Sequence, residues 1–134
     1  MPADPQVLLP ADWPRPRGYA NGVATRGRQV FLAGMIGWDA RGVFPSDDFG
    51  DQTRQALRNI VDVLREAGGR PEHIVRMTWY VTDKREYLAA AKAIGAAFRD
   101  LVGGYDIAMT AVEVRALIED RAKVEIECTA VIPD

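Results

Sequence analysis

The chain has 134 residues, of which 48% are hydrophobic and 27% are charged, as in an ordinary globular domain. Its 17 basic and 19 acidic residues give a formal net charge of −2. This balance excludes a general electrostatic attraction to nucleic acid and argues against a nucleic-acid partner. No apolar stretch approaches the roughly 20 residues that cross a bilayer, so we expect no membrane association.

The N-terminal segment is rich in proline and predicts an extended arm over residues 1–16. It lacks the basic start and the following apolar stretch of a signal peptide. The single cysteine, Cys128, excludes an internal disulfide and fits a reducing compartment, so we expect a cytoplasmic protein. Because Cys128 lies among alternating apolar residues, its pattern favours a small buried side chain over a nucleophile.

The first half of the chain predicts two strands and a helix. Residues 18–34 are typical of two short strands joined at Arg26 and Gly27, which predicts a hairpin. From about Asp48, apolar residues recur at helical spacing until Gly68 and Gly69 end the helix. The apolar positions of this helix are Ala56, Leu57, Ile60, Val61, Leu64 and Ala67.

The second half predicts a strand, a helix and two further strands. Residues 74–81 are rich in β-branched and aromatic side chains, and Asp83 is a suitable N-cap for a helix over residues 84–102. Two closing strands lie within residues 106–131. The resulting order, β-β-α-β-α-β-β, predicts an α+β fold with one mixed sheet and two helices packed on one face.

Alternation along the closing strands predicts which side chains face the helices. In the last strand Val124, Ile126, Cys128 and Ala130 share one face, which we assign to the core, and Glu125, Glu127 and Thr129 share the other. The same reasoning assigns Val112 and Val114 to the core. It leaves Met109, Ala111 and Glu113 on the second face with Glu125 and Glu127. A face of mixed apolar and acidic character predicts a surface covered by other subunits of a homo-oligomer.

Few residues could carry chemistry. The single histidine, His73, and the single cysteine form no metal-ligand pattern, so we expect neither a metal nor another cofactor. Glu113 and Glu125 remain as strand-borne carboxylates that could orient or deprotonate a water, or could be ordinary cross-strand partners of Arg115 or Lys123. Tyr19 could line a pocket or simply begin a strand.

Six segments resemble the YjgF/RidA family, a family of enamine/imine deaminases also labelled endoribonuclease L-PSP. They are "GYANGV", "VFLAGMIG", "QTRQALRNIVDVLREAGG", "IVRMTWYVTD", "AVEV" and "KVEIECTAV", and the similarity spans about residues 15–131. The resemblance implies one domain over residues 1–134 with a chorismate-mutase-like fold. It also implies homotrimers that hold a small-molecule ligand in each cleft between subunits. Members of the family hydrolyse reactive enamines and imines, such as 2-aminoacrylate, to keto acids and ammonia without metal or cofactor.

The resemblance also implies roles for particular residues. Tyr19 matches the pocket tyrosine, although Arg17 stands where proline is usual. Gly34 matches the glycine whose backbone amide helps to hold the ligand, and Ala33 replaces the usual serine before it. Glu125 matches the glutamate that holds the attacking water in the active deaminases.

Met109 departs from the family pattern, since it stands at the position of the signature arginine and lines the expected pocket together with Ala111. The guanidinium of an arginine binds a carboxylate through two parallel charge-assisted bonds, whereas methionine has no donor. Such a loss typically costs on the order of 2–5 kcal/mol when the carboxylate is buried. We therefore predict that 2-aminoacrylate is not the substrate, unless Arg115 or an arginine of a neighbouring subunit replaces the missing one.

Two functions remain open. In the first, the protein is a hydrolase or tautomerase for a small, less polar enamine, imine or related enol, with Glu125 and a water performing the chemistry. In the second, it is a homotrimeric small-molecule-binding or chaperone-like module without turnover. The charge balance and the lack of a histidine-based acid–base pair do not support a ribonuclease.

Overall fold

The computed structural model describes residues 5–134, so residues 1–4 of the predicted arm lie outside the described residues. The strands are β1 (Gln6–Val7), β2 (Val23–Ala24), β3 (Arg28–Ile36), β4 (Ile74–Val81), β5 (Ala108–Glu113) and β6 (Val124–Ile132). The helices are α1 (Phe49–Glu66), α2 (Lys84–Ala89) and α3 (Ala91–Leu101), and Pro71–His73 form a short 3₁₀ turn before β4. No helix within residues 5–134 is both long and apolar enough to cross a membrane.

The main sheet is mixed, which confirms the predicted α+β class. Its strand order is β3-β6-β4-β5, and β6 pairs antiparallel with both β3 and β4. The pair β4–β5 is parallel, because the chain between these strands runs through α2 and α3 and returns to the same end of the sheet. The helices pack with one face of the sheet around a single large core.

The predicted hairpin over residues 18–34 is wrong. Strand β2 pairs with β1 of the N-terminal arm, whereas β3 pairs with β6. The chain at Gly27 has a φ of +148° and passes so close to β6 that an added Cβ would lie 2.9 Å from the carbonyl carbon of Ile132. This close approach directs β3 into the main sheet beside β6, so β2 pairs with β1 of the N-terminal arm instead.

Both predicted helices form, and the second is divided in two. Asp48 caps α1 by accepting a bond from the backbone N–H of Asp51, and Asp83 caps α2 by accepting one from Arg85. Ala90, with a φ of −92° and a ψ of 9°, separates α2 from α3. The fully buried side chains of α1 include Ala56, Leu57, Ile60 and Leu64, as the helical spacing predicted.

Strand β5 has the opposite orientation to the predicted one. Met109 pairs with Met77, whose side chain is fully buried, and packs against the core from the helix side. Val112 pairs with Tyr80 on the other face and is 43% exposed, while Val114 lies beyond the end of the strand. Glu113 is tolerated on the helix side because its carboxylate accepts a 2.9 Å bond from the first backbone N–H of α2, at Lys84.

A buried glutamine ties α1 to the segment that leads into β6. Gln52 is 1% exposed, and its amide nitrogen donates to the backbone carbonyls of Ser46 and Arg121 at 3.1 and 3.0 Å. Its amide oxygen accepts a 2.9 Å bond from the backbone N–H of Lys123. These three bonds set where β6 begins, and therefore where Glu125 lies.

Replacing this glutamine should destabilise the protein. In Gln52→Leu, two carbonyls and one N–H lose their partners, so we expect the free energy of unfolding to fall by about 2–4 kcal/mol. The matched control is Gln55→Leu on the same helix, whose amide bonds only to the side chain of Asn59, and it should cost less than about 1 kcal/mol. Urea unfolding at one protein concentration measures both, and equal losses would contradict this role of Gln52.

Candidate functional site

The structure places the predicted site residues in two groups. Tyr19, Met109 and Ala111 line a cavity of about 860 Å³ on the helix side of the sheet. Gly34 and Glu125 meet on the opposite face, near the bulge of β3 that also contains Ala33. Met109 and Glu125 therefore do not share a face within one chain, in contrast to the arrangement expected from alternation.

A backbone connection brings Tyr19 to the cavity. The N–H of Ala20 donates a 2.8 Å bond to the carbonyl of Ile107, and Ala20 forms a parallel bridge with Ala108 at the start of β5. Gly18 has a φ of +79°, a left-handed conformation that glycine adopts without strain. Arg17 and Tyr19, on either side of this glycine, thus both line the cavity that Met109 borders.

Aromatic side chains form much of the cavity wall. Phe98 and Tyr105 stack with their ring centroids 5.0 Å apart and their planes within 7°, and Trp79 meets Tyr87 edge to face at 6.3 Å. None of these four residues was predicted as a site residue. The sequence marks Tyr87 and Phe98 only as apolar positions of a helix, and the cavity arises where that helix passes the start of β5.

The two candidate arginines have different positions. Arg115 follows β5 and lies beside Thr82 and the start of α2, outside the cavity that contains Met109. Arg17 lies in the cavity lining. Within one chain, therefore, the arginine that lines the cavity together with Met109 comes from the segment before β2 and not from β5.

On the opposite face, Gly34 makes room for Glu125. Ala33 and Gly34 fall between the paired positions Leu32–Cys128 and Met35–Ile126, so β3 carries a bulge there. A Cβ added to Gly34 would lie 2.7 Å from Cδ of Glu125, a distance that carbon atoms do not tolerate. The half-buried carboxylate of Glu125 thus occupies space that any side chain at position 34 would take.

The other glutamates of β5 and β6 already accept hydrogen bonds. Glu127 accepts a 2.5 Å bond from the hydroxyl of Tyr80, and this bond to a carboxylate raises the pKa of Tyr80. On the helix side of the sheet, the carboxylate of Glu113 accepts a bond from the backbone N–H of Lys84 at the start of α2. Glu125 takes part in none of the ion pairs within residues 5–134. Its carboxylate can therefore hold or deprotonate a water on the surface of the sheet.

Two other reactive side chains have structural roles. Cys128 is 4% exposed, and burial raises the pKa of its thiol to about 12, which confirms the expected buried, unreactive side chain. His73 accepts a 3.0 Å bond at Nδ1 from the backbone N–H of Arg70 in the turn before β4. Neither residue is among those that line the cavity within residues 5–134.

Comparisons with known proteins agree with this architecture. The family model for Endoribonuclease L-PSP matches residues 14–132. A RutC family protein of Pyrococcus horikoshii is 32% identical over 126 residues, which cover 93% of this chain and 96% of that protein. A 2-iminobutanoate/2-iminopropanoate deaminase of Salmonella typhimurium is 31% identical over 113 residues, which cover 84% of this chain and 86% of that protein.

A solved structure has the same fold over nearly the whole chain. The Rid family protein YyfB of Yersinia pestis, described as a protein of unknown function, has 32% identity and a TM-score of 0.84, with 97% of this chain and 100% of that chain covered. The family model and the relatives span nearly the same residues as the six segments from which the resemblance was inferred. The chain therefore belongs to the YjgF/RidA family, whose members include proteins named endoribonuclease L-PSP, RutC and deaminase.

Proposed function

We propose that the protein is a cofactor-free hydrolase or tautomerase that acts on a small enamine, imine or related enol in a pocket between subunits of a homotrimer. The Salmonella relative, named a 2-iminobutanoate/2-iminopropanoate deaminase, supports hydrolysis of a C=N bond. The observation that carries the proposal is the Glu125 carboxylate, which lies against Gly34 and forms no ion pair within residues 5–134.

The proposed chemistry needs only one carboxylate and one water. Glu125 takes a proton from the water as its oxygen attacks the imine carbon, and the C=N double bond becomes a single bond. Glu125 returns this proton to the nitrogen, which gives a carbinolamine. It then takes the proton of the new hydroxyl group and delivers it to the nitrogen as the C–N bond breaks and the C=O bond forms. Each imine and water thus yield one carbonyl compound and one ammonia, and Glu125 ends in its initial charge state. With an enol substrate, the same carboxylate transfers a proton between oxygen and carbon.

A complete site requires a second subunit in this proposal. Glu125 and the cavity that Tyr19 and Met109 line are on opposite faces of one sheet, so one chain does not present both to one ligand. The face that carries Glu125 also exposes 73% of Phe31, a large apolar area for a surface in water. In a homotrimer, the face of one subunit that carries Glu125 would cover the edge of the cavity of the next subunit. Glu125 of one subunit and the cavity of the other would then border the same pocket.

The side chains at two family positions bear on the substrate. Ala33 and Met109 carry no hydrogen-bond donor where the family commonly has serine and arginine. A small imino acid such as 2-aminoacrylate, whose carboxylate accounts for half of its heavy atoms, would lose its main contact at position 109. We therefore propose a different enamine, imine or enol as the substrate.

The alternative is a homotrimeric module that binds a small molecule without converting it. The absence of donors at Ala33 and Met109 favours this alternative, because both side chains leave the ligand less firmly oriented. The two proposals differ in the role of Glu125, which is required for turnover and not for binding.

Turnover can be tested on freshly generated imines of keto acids and aldehydes of increasing size, with ammonia release as the measurement. We expect Glu125→Gln to lower kcat/KM by about 100-fold or more, because the amide cannot accept the proton of the attacking water. The control, Glu66→Gln, removes an equal charge from the exposed end of α1 and should leave the rate unchanged. Equal activity of wild type and Glu125→Gln would exclude this role, and no turnover of any imine would favour the binding module.

Assembly can be tested by sedimentation equilibrium, in which we expect a species of three chains. Phe31→Asp should shift this species toward monomers, because it places a charge in the face proposed to be covered. Val63→Asp places the same charge at an exposed apolar position of α1 and should leave the trimer intact. A monomeric wild type would remove the intersubunit pocket, and a trimeric Phe31→Asp variant would place the interface elsewhere.

A further inference from the structure

We infer that Arg17 binds the carboxylate of the substrate and that the aromatic cavity holds a large apolar side chain. The substrate class is then a 2-imino or 2-enamino acid with an aromatic or similarly bulky side chain. This inference rests on the proposed function for the reaction type. Its evidence is separate from that for the proposed function, because it comes from the residues that line the cavity on the helix side and not from Glu125.

Arg17 is the one charged residue among those that line the cavity within residues 5–134. None of the ion pairs in this part of the chain involves it. The segment that carries Arg17 is held in place, because Ala20 is buried and bonded to Ile107. A cation without an ion-pair partner beside apolar walls attracts an anion, and the guanidinium geometry suits a carboxylate.

Arg17 and Met109 line the same cavity from different segments of the chain. A guanidinium on Arg17 therefore enters the space that an arginine at position 109 would also reach. Relative to the family pattern, the cation is then carried by the segment before β2 instead of by β5. Position 109 on β5 has the flexible apolar thioether of methionine. Arg17 thus gives the cavity a cation that can bind a carboxylate, and Met109 gives it additional apolar surface.

The walls of the cavity suit a bulky ligand. A volume of about 860 Å³ lies within the range of pockets that hold drug-sized molecules, and it far exceeds a six-atom imino acid. Phe98, Tyr105, Tyr87 and Ile94 give the cavity aromatic and aliphatic surfaces. A phenyl or branched side chain would bury apolar area against these surfaces, whereas a methyl group would leave most of them in contact with water.

Trp79 forms a buried part of the cavity wall. Its side chain lines the cavity and is 3% exposed, and its indole N–H has no hydrogen-bond partner within residues 5–134. A buried donor without an acceptor is unfavourable.

Calorimetric titration of the intact protein with three stable probes tests the inference. The probes are 3-phenylpropanoate, its neutral amide 3-phenylpropanamide, and propanoate. We expect 3-phenylpropanoate to bind about tenfold more tightly than the amide, a modest factor because Arg17 is exposed and solvent screens its charge. Propanoate should bind at least about tenfold more weakly than 3-phenylpropanoate, because it leaves the aromatic walls empty.

Three variants assign the effect to Arg17. Arg17→Met should make the acid and the amide bind equally and leave the affinity for the amide within about twofold of wild type. Arg15→Met removes the same charge two residues earlier, outside the cavity lining, and should keep the preference for the acid. The double variant Arg17→Met/Met109→Arg should regain this preference, since its guanidinium enters the same cavity.

The outcomes separate this inference from the proposed reaction. A preference for 3-phenylpropanoate over its amide that survives in Glu125→Gln and disappears in Arg17→Met supports the inference even if no imine is turned over. An unchanged preference for the acid in Arg17→Met would overturn it. Binding of propanoate as tight as that of 3-phenylpropanoate, or no binding of any probe by the wild type, would also overturn it. Turnover that depends on Glu125 but not on Arg17 would support the reaction alone.

Discussion

Alternation along β6 is the constraint on which the rest of the structure depends. This strand lies between β3 and β4, so its register sets the positions of both neighbours. Val124, Ile126, Cys128 and Ala130 are buried beneath the helices, and the intervening residues face the other side. Side chains in a strand point alternately to opposite faces, so the core cannot bury Ile126 without directing Glu125 outward.

The buried glutamine of α1 and the bulge of β3 then refine the position of Glu125. Gln52 bonds to the backbone on both sides of Ala122 and so holds the start of β6. The bulge brings Gly34, the residue without a side chain, against the carboxylate. A helix, a strand and a local irregularity thus contribute to the placement of the Glu125 carboxylate.

The edge strand β5 shows why one alternating pattern can be assigned to the wrong face. Glu113 suggested a face directed away from the helices, but its carboxylate accepts a bond from the first backbone N–H of α2 on the helix side. Met109 is consequently an ordinary neighbour of the core and, at the same time, part of a cavity wall. Its lack of a donor changes the chemistry of that cavity, and we propose that Arg17 compensates for it. Shared fold and family membership therefore leave the substrate of this chain to be decided by a few side chains.

The sequence by itself determined the α+β class, the extents of most helices and strands, the faces of β6 and the family, because periodicity and capping are local properties. The assignment of Tyr19, Gly34 and Glu125 to a site came from family resemblance and stays a prediction. Only the tertiary structure decided that β2 pairs with the arm, that Met109 faces the helices, and that Arg17, Trp79, Phe98 and Tyr105 surround one cavity. These features depend on contacts between residues far apart in the chain, and an edge strand with a satisfied charge carries no local sign of its orientation.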